Sequence, residues 1–273
     1  MKNLVWLASY PKSGNTWIRA CLMLAITGDL SLDDLIGIVP YFPVLNNVHF
    51  KDTKFSDPIE AGRAAVKMWD KTQTDISSGN NVRQIIVKTH QVFGNINNVQ
   101  FPNLDCALGV IQLVRDPRDV ALSYAAHYGR DIDTAIEKLL DEKNSINEQS
   151  QPGSFEFISS WELNFLSWQD AAFPKLIIRY EDLLASPKRK LDNIFEFLKL
   201  KPKMSTAQII EKTSFQSLAS MEAKNGFKEA SSHSKFFRVG KEGQWSTLSR
   251  RQREKIEKQF SRTMTNLGYL GQS

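Results

Sequence analysis

The chain has 273 residues, is 41% hydrophobic and 24% charged, and carries a formal net charge of +5 with a sequence pI near 9.1, which suits one large α/β domain, residues 1–273, with a mildly basic surface. Its two cysteines, Cys21 and Cys106, have no CxxC spacing and no Cys/His cluster, so neither a disulfide framework nor a zinc site is indicated and a reducing compartment fits. The N-terminal apolar run is broken by Pro11 and Lys12, too early for a signal-peptide core, and no stretch approaches the ~20 apolar residues of a membrane helix, so a cytoplasmic chain is expected.

Leu4 to Ala8 is apolar and leads into SYPKSGNTW, Ser9 to Trp17, and an amphipathic run from Thr16 to about Thr27 leaves it, so strand, phosphate loop and helix are predicted in that order. Ser13, Gly14 and Asn15 let backbone N–H groups converge at a helix N-terminus, where the dipole favours an anion, and Lys12 adds a mobile positive charge. Lys12 precedes the only Gly of the loop, so this is not a Walker A motif. Ser31 to Phe50, rich in aromatic, Pro and Asn residues, reads as a loop lining a pocket or covering the sheet edge. Asp57-Pro58 opens a helix to about Ser77, and Ser77 to Asn81 reads as a turn.

Gln84 to Lys88 predicts a short buried parallel strand ending at Thr89-His90. Side chains alternate along a strand, so Lys88 and His90 share a face, at the strand end that lines the ligand crevice of an open α/β sheet. A lone His in such a place is more often a hydrogen-bonded structural residue, and it is the Lys two positions before it that marks the pair as a site. Asn95 to Asp105 is polar and turn-rich. Gly109 to Val114 is a further strand ending at Arg115, and Asp116-Pro117 caps a helix to about Tyr128 with Ser123 two turns into it.

Asp131 to Asn144 reads as a charged helix, and Glu148 to Ser154 as a polar break. Phe155 to Phe173 carries Trp161, Phe165 and Trp168 at helical spacing, a stripe assigned to core. Leu176 to Arg179 is a strand with Tyr180 at its end, and Glu181-Asp182 opens a helix to Leu198. Glu222 to Ser234 turns polar and Gly/Ser/Lys-rich and begins a mobile lid that extends to about residue 246. Ser249 to Leu267 is a terminal charged helix with a solvated face. The sum is an α/β fold of three layers, P-loop-like, with a central parallel sheet flanked by helices. Lys12, Lys88, Arg115 and Arg238 all fall in loops or strand ends, where they can surround a nucleotide of about four negative charges.

YPKSGNTW resembles the 5′-phosphosulfate loop of the sulfotransferases that use 3′-phosphoadenosine 5′-phosphosulfate (PAPS), whose usual form is YPKSGTTW. Four further stretches follow in family order and cover the chain nearly end to end: VKTH at Val87–His90, VRDPRDVALSY at Val114–Tyr124, RYEDLLASP at Arg179–Pro187, and FRVGKEGQW at Phe237–Trp245. The resemblance implies transfer of a sulfuryl group from PAPS to a hydroxyl or nitrogen of a small-molecule acceptor, with release of adenosine 3′,5′-bisphosphate (PAP). It implies no metal, no nucleic-acid partner and no membrane.

By the same resemblance His90 is the catalytic base of a KTH motif. Lys12, with the loop N–H groups from Ser13 through Gly14 and Asn15 to Thr16, serves the bridging oxygen, and Lys88 holds the sulfuryl oxygens. Arg115 and Ser123 resemble the pair that binds the 3′-phosphate, and a forked cation with a hydroxyl suits a phosphate dianion. KTSFQSL at Lys212–Leu218 resembles the segment whose Thr213 and Phe215 contact adenine, with Trp17 and Tyr180 supplying further aromatic faces. Arg238 and Gly240 match the family's RKGxxGxW, although Val239 stands where Lys is usual. Gln91-Val92 replaces the Pro that often follows KTH.

The dimer motif KxxxTVxxxE of animal members is not recognisable, and the oligomeric state stays open. Ser31–Phe50, Gln91–Asp105, His127–Asp131 and Glu222–Ser234 are expected to form the acceptor pocket. The SYPKSGNTW form is similar to bacterial enzymes that sulfate natural products such as glycopeptide antibiotics or saxitoxin-type alkaloids. Two rival readings stand beside this one. A P-loop kinase or NTPase would require a GK[ST] ending, and a non-catalytic nucleotide or nucleic-acid binder would carry its basic residues along one exposed face.

Overall fold

The computed structural model describes residues 2–271 apart from 52, 54, 56, 80, 81 and 148–154. The chain begins with β1 (Leu4–Ser9), α1 (Asn15–Thr27), two short helices α2 (Leu35–Ile38) and α3 (Phe42–Asn46), and the long α4 (Pro58–Ser78). There follow β2 (Ile85–Thr89), β3 (Gly94–Ile96), β4 (Val99–Phe101), β5 (Ala107–Val114), α5 (Pro117–Tyr128), α6 (Ile132–Leu140), β6 (Ser145–Asn147), β7 (Phe155–Phe157) and α7 (Trp161–Ser167). The last part runs β8 (Lys175–Arg179), α8 (Tyr180–Ala185), α9 (Pro187–Phe197), α10 (Thr206–Lys212), α11 (Phe215–Asn225), α12 (Arg250–Gln259) and α13 (Ser261–Asn266).

Every residue of β1 is buried, and its side chains divide between two cores. Val5 and Leu7 join Ile18 and Leu22 of α1 and Leu191 and Ile194 of α9, whereas Leu4 and Trp6 join Phe42, Val66, Trp69 and Phe101 on the other face. That division is what a parallel strand sandwiched between two helical layers requires. The sheet runs β2-β1-β5-β8, all parallel. Its register sets Ala8 beside Thr89, Ser9 beside Leu113, and Val114 beside Arg179. The residues that follow the strands, Tyr10 to Gly14, His90, Arg115 and Tyr180, therefore leave the sheet at one edge.

The three-layer parallel architecture agrees with the expectation, while several boundaries differ for local physical reasons. Ser31–Phe50 is not a plain loop. It holds α2, α3 and a 3-10 turn at Asn47–Phe50, helices of four or five residues that are too short to show a period and are anchored by burial of Leu35 and Phe42. Within Asn95–Asp105 an antiparallel hairpin pairs β3 with β4, turning through Asn97 and Asn98 at φ 50° and 64°. Asn tolerates that left-handed region, which a two-residue hairpin needs.

The helix expected from Glu181 to Leu198 breaks at Ser186-Pro187, because proline cannot continue the α8 hydrogen-bond ladder and opens α9 instead. Phe155 begins a strand rather than a helix, and the Trp161–Trp168 stripe occupies α7 and a following 3-10 turn, with both Trp side chains buried. The terminal segment is two helices, and Ile256, Phe260 and Met264 bury one face of it against α5 and α6. The polar break at residues 148–154 lies outside the described residues, as do the last two positions of the turn at Ser77–Asn81; Ser77 and Ser78 themselves end α4.

Phe101 is fully buried and meets the rings of Trp6, Phe42, Trp69 and Trp168. Replacing Phe101 by Ala should lower stability by about 3–5 kcal/mol, read as a reduced midpoint in urea unfolding.

Candidate active site

The loop between β1 and α1 turns through two residues in the left-handed region, Lys12 at φ 68° and Gly14 at φ 96°. A Cβ on Gly14 would also stand 2.7 Å from Cδ2 of the Tyr180 ring, so only glycine fits there. Gly14 caps α1 without a side-chain hydrogen bond, which leaves the first amide N–H groups of the helix directed out of its positive end. The Asn15 side chain faces inward and donates from Nδ2 to the Leu7 carbonyl and to Ser9 Oγ, each at 3.2 Å, tying helix to strand.

His90 follows β2 directly. Its Nδ1 lies 2.7 Å from the Ser9 carbonyl and 3.3 Å from Ser9 Oγ. A carbonyl only accepts, so Nδ1 carries the proton and Nε2 keeps its lone pair. Burial, reinforced by the charge of Lys88, holds the imidazole well below its ordinary pKa, so it is neutral at physiological pH. The His90 backbone is held too: its N–H donates to Glu156 Oε1 at 2.6 Å and its carbonyl accepts from Asn164 Nδ2 at 2.8 Å.

Lys88 lies on the same face, buried, with Nζ over the Tyr41 ring at 4.1 Å and 3.7 Å from Glu229 Oε2. Burial draws its ammonium down to about 8, and Glu229 limits the shift. Lys12 is drawn further, to about 7, first by burial and then by repulsion from Lys88, and its Nζ rests over the Phe236 ring at 4.0 Å. Arg115 leaves β5 and spans the opposite side. It donates to the Lys12 carbonyl at 3.3 Å and the Lys241 carbonyl at 3.1 Å, lies over the Tyr180 ring at 4.5 Å, and approaches Asp119 at 3.7 Å.

These groups surround one cavity of about 850 Å³. All of the site residues predicted from sequence line it except Ser13, whose hydroxyl is buried without a partner among the described residues. Trp17 and Tyr180 meet edge to face at 6.1 Å. Phe215 stands so close to Gly240 that a Cβ on the glycine would come within 2.1 Å of its ring. Ser123 is half-buried and Arg238 is exposed at the rim. Thr213 is fully buried and its hydroxyl donates to the Ile209 carbonyl at 2.7 Å, so it cannot donate the same proton to a ligand.

The expected acceptor-side stretches are only partly drawn in. Ile36, Tyr41 and Val44, His127 and Tyr128, and the residues from Lys228 to His233 line the cavity, but among the described residues nothing from Gln91 to Asp105 does. That stretch turns away into the β3–β4 hairpin, which covers α4. Within the expected stretches sequence reasoning did not single out Tyr41 or Glu229, and it missed Glu156 altogether. Glu156 is completely buried, accepts from His90 N–H, and is hydrogen-bonded to the Tyr41 hydroxyl; burial raises its pKa well above the usual carboxylate range. Neither Tyr41 nor Glu156 falls in a recognisable motif, and Glu229 was hidden in a polar segment. The expected lid begins inside α11, where buried Glu222 accepts from the N–H groups of Phe236 and Phe237 at 2.6 and 2.9 Å. Among the described residues no group of His, Cys, Asp and Glu side chains is placed to hold a metal, and no helix is long and apolar enough to cross a membrane.

Comparison with known proteins bears on this geometry. The family model described as a sulfotransferase domain matches residues 2–268. Sulfotransferase 1A1 of the dog, Canis lupus familiaris, is 25% identical over 96% of this chain and 83% of its own length, and flavonol 3-sulfotransferase of Flaveria bidentis is 26% identical over 94% and 80%. In fold the chain is similar to retinol dehydratase solved with androsterone and the inactive cofactor PAP, with a TM-score of 0.63 at 20% identity over 96% of this chain and 81% of that one. It is similar also to a mouse sulfotransferase solved with PAP, with a TM-score of 0.61 at 20% identity over 97% and 85%.

The two cavity lysines should be visible as abnormal titrations. In protein carrying isotope-labelled lysine, one side-chain resonance should titrate near pH 7 and vanish in Lys12→Met, and another near pH 8 and vanish in Lys88→Met; each charge is present below its midpoint and lost above it.

Proposed function

Because the chain belongs to the sulfotransferase family, we propose that it moves the sulfuryl group of PAPS to a hydroxyl or nitrogen of a small-molecule acceptor and releases PAP. The observation that carries this reading is the meeting, in one cavity, of an anion-receiving helix terminus bearing Lys12 with a neutral, oriented His90. PAP in the retinol dehydratase and mouse sulfotransferase structures supports the choice of nucleotide. Retinol and androsterone in the retinol dehydratase structures support a small-molecule acceptor. The acceptor we infer is a bacterial natural product, and the compartment the cytoplasm, where Cys21 and Cys106 remain free thiols.

Sulfuryl transfer, like phosphoryl transfer, is a loose in-line displacement: the acceptor lone pair bonds to sulfur as the bond from sulfur to the bridging phosphate oxygen breaks. His90 Nε2 takes the acceptor proton, a step worth ~10²–10⁴-fold. Lys12 and the N–H groups of Ser13, Gly14, Asn15 and Thr16 receive the charge that builds on the departing phosphate, a role worth ~10²–10³-fold per donor. An anion beside Lys12 favours its charged form, offsetting the pull of burial. Lys88 holds the sulfuryl oxygens on the face it shares with His90.

Arg115, Ser123 and Arg238 hold the 3′-phosphate, and Trp17, Tyr180, Thr213, Phe215 and Gly240 frame the adenine. Asp119 fixes the segment above them by accepting from the N–H groups of Gly243 and Trp245 at 2.9 and 2.8 Å. Residues from about 222 to 246 close over the nucleotide as a lid. Protons and charge are handled by side chains and amides of this chain alone.

His90→Ala should cut turnover by ~10²–10⁴-fold while PAPS is still bound, measured by sulfuryl transfer from labelled PAPS and by calorimetry. Arg115→Ala should instead raise the KM for PAPS by about tenfold or more, and nucleotide affinity equal to that of the parent would remove Arg115 from the phosphate site.

A further inference from the structure

Glu229 places a carboxylate among the groups assigned above to the sulfuryl transfer. Its Oε1 lies 2.6 Å from Nη1 of Arg19 and its Oε2 3.7 Å from Nζ of Lys88. Arg19 is wholly buried and Lys88 nearly so, and Glu229 itself is four-fifths buried and lines the cavity. Its charge is felt at Lys12 and by His127 and His90 as well. Burial works to neutralise the carboxyl, but Lys88 and Arg19 outweigh it and hold the group ionised down to about 2. A fixed negative charge therefore stands where the reaction calls for an anion to be received.

Two features mark this as an exchangeable pairing rather than a permanent strut. Arg19 satisfies only one of its donor nitrogens through Glu229, while Nε and Nη2 are buried without a partner among the described residues. A guanidinium so placed is under-satisfied by one carboxylate oxygen. Glu229 also lies outside any helix or strand, three residues after Gly226, which turns through φ +76° with open space around it. The carboxylate can thus swing from Lys88 without unravelling a secondary-structure element, while Phe227, two residues before it, keeps the segment packed.

We propose that Glu229 stands in for the donor's sulfonate on Lys88, so that PAPS must displace it whereas PAP need not. This rests on the sulfuryl-transfer reading of the site. A sulfonate and a carboxylate are both monoanions with oxygen acceptors, and Lys88 cannot hold both at short range without setting two like charges against each other. Glu229 thereby weakens binding of the sulfonated donor relative to its desulfonated product and acts as a specificity-determining residue of the donor site.

The test is the ratio of the dissociation constants for PAPS and PAP, measured by calorimetry without acceptor, in the parent chain and in Glu229→Gln and Glu229→Ala. Both variants should tighten PAPS by about tenfold or more while PAP changes by less than about threefold. A residue that merely shapes the segment would shift both nucleotides together, so an unchanged ratio in both variants would overturn the inference while leaving the sulfuryl-transfer reading intact. If the parent binds neither nucleotide, the proposed function falls and this inference with it.

Discussion

Positive charge held out of water at one edge of a parallel sheet is the constraint on which the rest of the molecule depends. Lys12, Lys88 and Arg115 leave or end β1, β2 and β5 within one cavity, and buried Arg19 shares the Glu229 carboxylate with Lys88. Burying such groups is costly, and the cost shows in the two lysines, both drawn below their ordinary range. Part of it is offset by aromatic faces, Phe236 under Lys12, Tyr41 under Lys88 and Tyr180 under Arg115. Part is offset by Glu229 and Asp119. The remainder is what an anionic substrate can satisfy, and this ties the energetics of the fold to the chemistry proposed for it.

The same edge also disciplines the base. Asn15 reaches back from α1 to the Leu7 carbonyl and Ser9, and Ser9 in turn receives His90 Nδ1. Helix, strand and imidazole are thereby locked in one arrangement whose free lone pair is on Nε2. Glu156 completes the support from the opposite side by holding the His90 amide and the Tyr41 hydroxyl together. The tyrosine that shields Lys88 and the histidine to which we assign proton acceptance consequently share one buried carboxyl, so a change at either is felt by both.

Much of the framework could be read from the residues because its signals are local. The largely apolar runs of β1, β2 and β5, the Asp-Pro pairs that open α4 and α5, and the single Gly in the β1–α1 loop each specify their structure within a few neighbours. What escaped was of two kinds. Elements shorter than about two turns, such as α2 and α3, have no period to detect. The hairpin of β3 and β4 was marked only by Asn97-Asn98, and the break before α9 only by Pro187, local cues that were outweighed by the longer pattern around them.

By itself the sequence determined the layered α/β class, the turn between β1 and α1, and a set of site candidates of which all but Ser13 line the cavity, because parallel strands deliver the residues after their carboxyl ends to one edge whatever the intervening loops do. Only the tertiary structure decided the tautomer of His90, the orientation of Thr213 towards its own helix, and the arrival of Tyr41, Glu156 and Glu229. Those side chains come from segments 49 to 139 positions away from His90, and nothing in their immediate surroundings prefers that place. They are held there by burial and charge, forces that exist only once the sheet has brought its cations together.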